Sequence, residues 1–453
     1  HAGPAVIISF LIAGIVCGAA VMCYAEFASM IPVAGSAYTF TYTTVGEIMA
    51  WIIGWDLILE MLMAGSVISK YWGVYLNDFM RLMGWNANTN LTFGSFHIDI
   101  APIIIVAFFT TLLVFGTKIG ARVDGAMTVL KIAIVFFVVI VGFFYVKASN
   151  FTPFIPPSQP ASTVEGSSAV TGVMTQPLWQ FATGMTPSVY GVPGILSGAA
   201  LVFFAFIGFD VVATASEETK NPHKNVPLGI GVGMLLIIVM YMLVAVVTTG
   251  MVSYADLAKQ DSPSLATAFE LVGADWAAKI ISFGIVLGLA TVVMVLLLGL
   301  TRIVFAMSRD GLLPRGLSKT GKHGTPAALQ IVVGAVVALV AAFFDIGVLS
   351  DMVNIGTLSA FTLVAISIPI MRKKRPDLPR AFKMPGSPWI PILIAVANFW
   401  LMLNLSVLTW IRFVVWLVVG FAIYFGYGYW HARLGKGDLT ETLSAETDKA
   451  VNG

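Results

Sequence analysis

Along most of this chain, apolar residues run on without the polar interruptions of a half-buried helix or strand. Eleven such runs can be delimited, at about 4–28, 46–76, 99–117, 123–147, 194–216, 228–252, 276–307, 326–345, 350–371, 388–408 and 410–432. Each comes near the ~20 residues that carry a helix across ~30 Å of hydrocarbon. They are rich in Gly, Ala and Leu and lack the alternation of a transmembrane barrel strand, so the pattern predicts helices. The expected fold class is an all-α membrane protein.

Composition agrees. Hydrophobic residues make up 58% and charged residues 11% of the chain, against roughly 25% charged in soluble domains. The net charge of +2 says little, but its distribution says more. If the loop after the first run is cytoplasmic and sides alternate, eighteen Lys and Arg fall inside, among them Arg309, Arg315, Arg372, Lys373 and Lys374, and six fall outside. The positive-inside rule then puts the tail 433–453 in the cytoplasm of a multi-pass protein of the cell membrane. Eleven spans leave the N-terminus outside. The chain opens at His1 almost within an apolar run, with no signal-peptide pattern. The expectation is that one spanning helix is missing from its start.

The segment 148–193, rich in Pro, Ser, Thr and Gly (PPSQPASTVEGSS), lies outside in this topology and divides the chain. Before it, 1–147 holds four spans. After it come 194–371 with five, then 372–432 with two behind a basic loop. Secondary transporters are commonly inverted repeats whose first helices break at the midplane. The helix opening the second half reads Ile207-Gly208-Phe209-Asp210 at its middle. Glycine tolerates unwound backbone, and an aspartate after it can cap a second half-helix. The absent member of the first half is then its own broken helix.

Charges inside apolar runs are expensive and therefore informative. Lys131 sits eight or more residues from either end of its run, and Asp56 and Glu60 lie one turn apart on one helix face. With Asp210 they read as a polar path near one depth: a fixed ammonium, and carboxylates able to carry a proton or meet a substrate amine. The bland reading is structural, with Lys131 paired to a carboxylate and Asp210 only a cap. The aromatic run Phe203-Phe204-Ala205-Phe206 by itself reads as packing. Beside a break, one ring could close over a ligand. Gly14/Gly18 and Gly284/Gly288 are small-xxx-small pairs that predict close helix contacts, and Cys17 and Cys23 lie too far apart on one helix for a disulfide.

Other classes find no support. The sequence lacks a phosphate-binding G-x-x-x-x-G-K-[ST] loop and a G-x-S-x-G elbow, and its five histidines are scattered, so no metal site, cofactor or enzyme activity is expected. The basic loop RKKRPDLPRAFK orients the chain and does not predict nucleic-acid binding.

Four stretches together resemble a known family. CYAEFASMIPVAGSAYTFTYTTVGEIMAWIIGWDLILE (23–60), FFAFIGFDVVATASEETKNPHKNVPLGI (203–230), TRIVFAMSRDGLLP (301–314) and NIGTLSAF (354–361) are similar, in family order, to permeases of the amino acid–polyamine–organocation superfamily. The cationic amino acid transporters and their bacterial relatives are the nearest subgroup. The resemblance implies the leucine-transporter-like fold, 5+5 inverted repeats plus two helices, with the spans above as helices two to twelve. It implies that Phe204 covers the substrate and that carbonyls around Phe204, Ala205 and Ile207 take its α-ammonium. Lys131 matches the fifth-helix lysine that stands where sodium-dependent relatives hold an ion, which favours proton coupling or ion-independent exchange; Glu60 and Asp210 match third- and sixth-helix acids. The family's G-[ST]-G-[IV] motif has no counterpart in this chain, and 157–190 is longer than the corresponding loop.

The expected function is secondary amino-acid transport by alternating access, with a proton as the coupling ion. Leu296 and Leu297 make the visible wall apolar, which favours small neutral over cationic substrates; Glu60 argues the other way. An exchanger, a passive pore and a permease-like sensor without helix one are the alternatives. Whether a small accessory membrane subunit binds is left open.

Overall fold

The computed structural model describes residues 2–30, 38, 41–42, 46–85, 89–93, 96–116, 121–163, 172–208, 221–260, 264–321, 324–374, 376, 380 and 382–432. Each apolar run contains a helix among the described residues. Seven helices among the described residues are long and apolar enough to cross a membrane, and four shorter apolar helices account for the other runs. In chain order the first are α1 (Val6–Met30), α2 (Glu47–Leu82), α3 (Ile100–Val114) and α4 (Ala121–Phe143). A short α5 (Leu178–Thr183) precedes α6 (Gly191–Val202) and α7 (Pro222–Met251). The small α8 (Tyr254–Ala258) and α9 (Leu265–Leu271) lead to α10 (Asp275–Arg309), α11 (Ala327–Phe343) and α12 (Ile346–Lys374). Then come α13 (Trp389–Leu403), α14 (Val407–Ile423) and the final turn α15 (Tyr429–His431).

Local chemistry fixes several boundaries. Helix α2 opens with Glu47 and closes with Arg81, so each charge complements the helix dipole at its own end. Helix α9 starts at a capping box in which Ser264 and Thr267 satisfy each other's backbone amides. The Ser406 hydroxyl accepts from the Thr409 amide to start α14.

Helices pair where small residues let backbones approach. A Cβ on Gly14 would stand 3.0 Å from Ile238, so α1 lies close along α7. Gly284 and Gly288 of α10 face Ile134 and Lys131 of α4, the close contact that their spacing predicts. Thr110 of α3 packs on Gly334 of α11. Helices α2 and α10 run antiparallel in one register, with Gly54 against Met307, Gly65 against Leu296 and Phe79 against Phe283. On its other sides α2 meets α12 and α14. There the Trp55 and Trp416 rings stack with centroids 4.4 Å apart, and each indole N–H donates to the other residue's carbonyl. Gly420 is the floor of that stack, because a Cβ would collide with the Trp55 indole. Gly420→Ala is expected to cost about 1–3 kcal/mol through overpacking, read as a lower melting temperature with unchanged helix content.

Outward sides of the helices carry exposed Phe136, Ile140, Leu235, Leu339, Leu393 and Val418. Apolar surface on this scale belongs against lipid rather than water.

Two parts depart from the all-α expectation. Between α2 and α3, β1 (Asn90–Phe93) and β2 (Phe96–Asp99) form an antiparallel pair with Asn90 opposite Asp99. Within the long segment, β3 (Gln159–Pro160) pairs with β4 (Ser188–Val189). This segment also braces the far end of the chain. The Leu178 amide donates to the Leu405 carbonyl, and the Val407 and Leu408 amides donate to the carbonyls of Gln176 and Met174. The turn joining α13 to α14 is thereby tied to residues more than two hundred positions earlier.

Candidate substrate site

The site grows from the end of α6. Regular α-helix stops at Val202, a 3-10 turn carries Phe203–Phe206, Ile207 is extended and Gly208 has φ 120. That backbone suits glycine alone among residues without strain. The unwinding therefore begins a few residues before the Ile207-Gly208 pair read from the sequence. Asp210 and the predicted second half-helix lie outside the described residues.

An ending helix leaves carbonyls without intrahelical partners, and three neighbouring helices supply donors to them. Asn354 Nδ2 of α12 donates to Leu201 O at 3.3 Å, the Tyr241 hydroxyl of α7 donates to Ala205 O at 2.6 Å, and Cys17 Sγ of α1 lies 3.9 Å from Phe206 O. The Phe204 carbonyl accepts from the Ile207 amide. The predicted ammonium acceptors at Phe204 and Ala205 thus each already hold one hydrogen bond, leaving one lone pair apiece.

The three rings of the aromatic run divide cleanly. Phe203 is fully buried with its edge toward Phe361. Phe206 is packed between Phe10 and Tyr241. Both are core. Phe204 is only half-buried, and it is the ring that the resemblance names.

Asp56 and Glu60 of α2 are both fully buried. The Ser359 hydroxyl of α12 donates to Asp56 Oδ2 at 2.6 Å, while Asp56 Oδ1 has no partner among the described residues. Leu296 and Leu297 are buried, Leu296 against Gly65 of α2. Lys131 is half-buried, its aliphatic stem laid on Gly288.

The register of α2 on α10 adds a separation that the sequence does not show. Glu60 falls opposite about Thr301, whereas Lys131 touches Gly288. That is about thirteen residues along α10, roughly 20 Å at about 1.5 Å per residue. Lys131 and Glu60 therefore stand apart along α10, an offset between helices that is a packing property and that a single sequence does not encode.

Sequence reasoning missed several residues. Tyr241 and Asn354 are ordinary polar positions in apolar runs and reach the site only through long-range packing. Glu26 is the larger omission. It is fully buried near the end of α1 and takes a two-pronged bond from Arg372, at 2.9 and 2.7 Å. The Met384 amide adds a bond of 2.8 Å, and Arg380 Nε stands 3.6 Å away. Its signal was present: a lone acid late in an apolar run, in a chain whose basic loop was read only for orientation. Separately, the Tyr38 hydroxyl donates to Asp310 at 2.9 Å, and burial holds that phenol well above its usual range, so it stays a donor. At the opposite end of the bundle, Arg81 of α2 makes a two-pronged bond to Glu270 of α9.

Comparison with known proteins places this arrangement. A model of an amino acid permease family matches residues 1–427. The branched-chain amino acid permease BcaP of Bacillus subtilis (strain 168) is 42% identical over 443 residues, spanning 96% of this chain and 88% of the relative. The methylthioribose transporter of the same organism is 39% identical over 441 residues, with the same two coverages of 96% and 88%. Cationic amino acid transporter 3, mitochondrial, of Arabidopsis thaliana is 37% identical over 379 residues, 82% of this chain and 57% of the relative. Helical architecture, apolar exterior, buried polar residues and these matches agree that the chain is a multi-pass membrane protein of the amino acid permease family, a transporter family and not an enzyme family.

Proposed function

We propose that this protein is a secondary transporter of neutral, apolar amino acids, working by alternating access and driven by protons. The observation that carries the reading is the broken end of α6. There a half-buried ring, Phe204, lies beside a run of carbonyls at the negative end of a helix dipole. A ligand with one ammonium and an apolar side chain suits it.

Pairing of the helices supports a 5+5 arrangement. If α6, α7, α10, α11 and α12 form one repeat, then α1, α2, α3 and α4 correspond to its last four members. The close pairs α1 with α7, α2 with α10 and α3 with α11 are then pairs of equivalents, as a two-fold axis between inverted repeats requires. Arg309, Arg315 and Arg372 gather at the end where α10 and α12 finish, which supports a cytoplasmic assignment for that end and for the C-terminal tail.

The buried Leu296 and Leu297 favour an apolar side chain over a cationic one. The likeness to a branched-chain permease extends the preference from small neutral substrates toward leucine, isoleucine and valine. Glu60 is the charge that a cationic substrate would use. Likeness to a methylthioribose transporter favours a second reading, in which the ligand is an uncharged sugar thioether. Competition against labelled leucine in proteoliposomes separates these. Isoleucine and valine are expected to displace it at lower concentrations than alanine, with arginine and methylthioribose ineffective. Displacement by arginine as readily as by isoleucine contradicts the apolar reading.

A further inference from the structure

We propose that Asn354 recognises the substrate's ammonium, as an acceptor added to the carbonyls of the broken helix. The inference deepens the transport reading above and rests on it. Asn354 is fully buried in α12. One half of its amide is in use, with Nδ2 donating to the Leu201 carbonyl in the last turn of α6. The other half is not. Oδ1 is buried without a partner among the described residues, and a buried unsatisfied acceptor costs about 1–3 kcal/mol.

Position gives that cost a use. Oδ1 shares its carbon with Nδ2, so the open acceptor stands beside the carbonyl end of α6, where the dipole draws a cation. The competing acceptors are partly taken, Ala205 O by Tyr241 and Phe204 O by the Ile207 amide. An α-ammonium has three N–H groups to place. Two can go to the remaining lone pairs of the unwound turn, and Oδ1 of Asn354 takes the third. The bond from Nδ2 to Leu201 meanwhile orients the amide, because a donor pinned to a carbonyl leaves the oxygen as the free edge. Asn354 thus reads the ammonium and couples its capture to the helix end that must move.

The test is a cycle between protein and ligand. Leucine and N-methyl-leucine, which lacks one ammonium N–H, are titrated against the purified full chain, the Asn354→Leu variant and the Asn354→Ser variant. Binding is followed by scintillation proximity. The parent protein is expected to prefer leucine by about tenfold, the scale of one charge-assisted hydrogen bond. That ratio should fall to near one in both variants. Asn354→Ser removes Oδ1 and draws its one oxygen back toward the α12 backbone, out of reach of an ammonium held at the α6 carbonyls, so it decides the matter even if the leucine variant does not fold. A serine variant that binds leucine and keeps the parental ratio overturns the assignment alone. Failure of the parent protein to bind leucine removes the transport reading, and the assignment with it.

Discussion

Arg372→Ala is expected to destabilise the protein by about 3 kcal/mol, the largest loss of stability from any single side-chain truncation at the two ends of the bundle. The Glu26 carboxylate is fully buried and receives two of its bonds from Arg372. Removing one partner of such a pair strands the other charge, which costs about 3–5 kcal/mol. The lower figure applies because Arg380 and the Met384 amide remain near Glu26, and Arg372 is about a quarter exposed. The network also ties together the ends of α1 and α12 and the approach to α13. Thermal unfolding in detergent measures the loss. The paired change Glu26→Gln with Arg372→Met should recover part of it, since no charge is then left buried. A double variant less stable than Arg372→Ala contradicts this account.

Lys131→Ala is expected to abolish proton-driven accumulation while leaving exchange of internal for external substrate intact. Lys131 is ten residues into α4, with its stem on Gly288 of α10. An ammonium at that depth is held at a cost of several kcal/mol and marks an ion or proton path. The register sets it roughly 20 Å along α10 from Glu60, so its loss should spare substrate contacts made near α2 and α6. Lys131→Arg should not restore coupling, because guanidinium does not release its proton under working conditions. Uptake measured across external pH decides. A pH dependence unchanged in Lys131→Ala would falsify the coupling role.

Much of the architecture was legible in the sequence because lipid enforces it. Each apolar run had to be a helix, since no other element satisfies its own backbone in hydrocarbon. The small-residue pairs Gly14/Gly18 and Gly284/Gly288 located real contacts for the same reason: only small side chains let backbones close. Lengths were read less well. In the run 194–216 the break was placed at Ile207-Gly208, a few residues late, because composition does not register where a helix tightens into a 3-10 turn, as it does at Phe203.

What the sequence withheld depends on distance along the chain. The bracing of the α13–α14 turn by residues 174–178, the Trp55–Trp416 stack and the Glu26–Arg372 pair all join positions hundreds of residues apart. Nothing in one-dimensional spacing marks these pairings, although Glu26 by itself stands out as an acid late in an apolar run. The candidate site was half legible. Phe204 was named through resemblance, and the structure adds that it alone of three rings is not core. Asn354 and Tyr241 were invisible because a polar residue in an apolar run has no partner until the helices are packed. The separation of Lys131 from Glu60 along α10 was invisible on the same ground.

Uptake of labelled leucine into proteoliposomes under an inward proton gradient separates concentrative transport of an apolar amino acid from passive entry. Saturable accumulation above the external concentration is expected, lost when a protonophore collapses the gradient and insensitive to arginine. Leucine entry that only equilibrates, or that rises linearly with concentration, would contradict it.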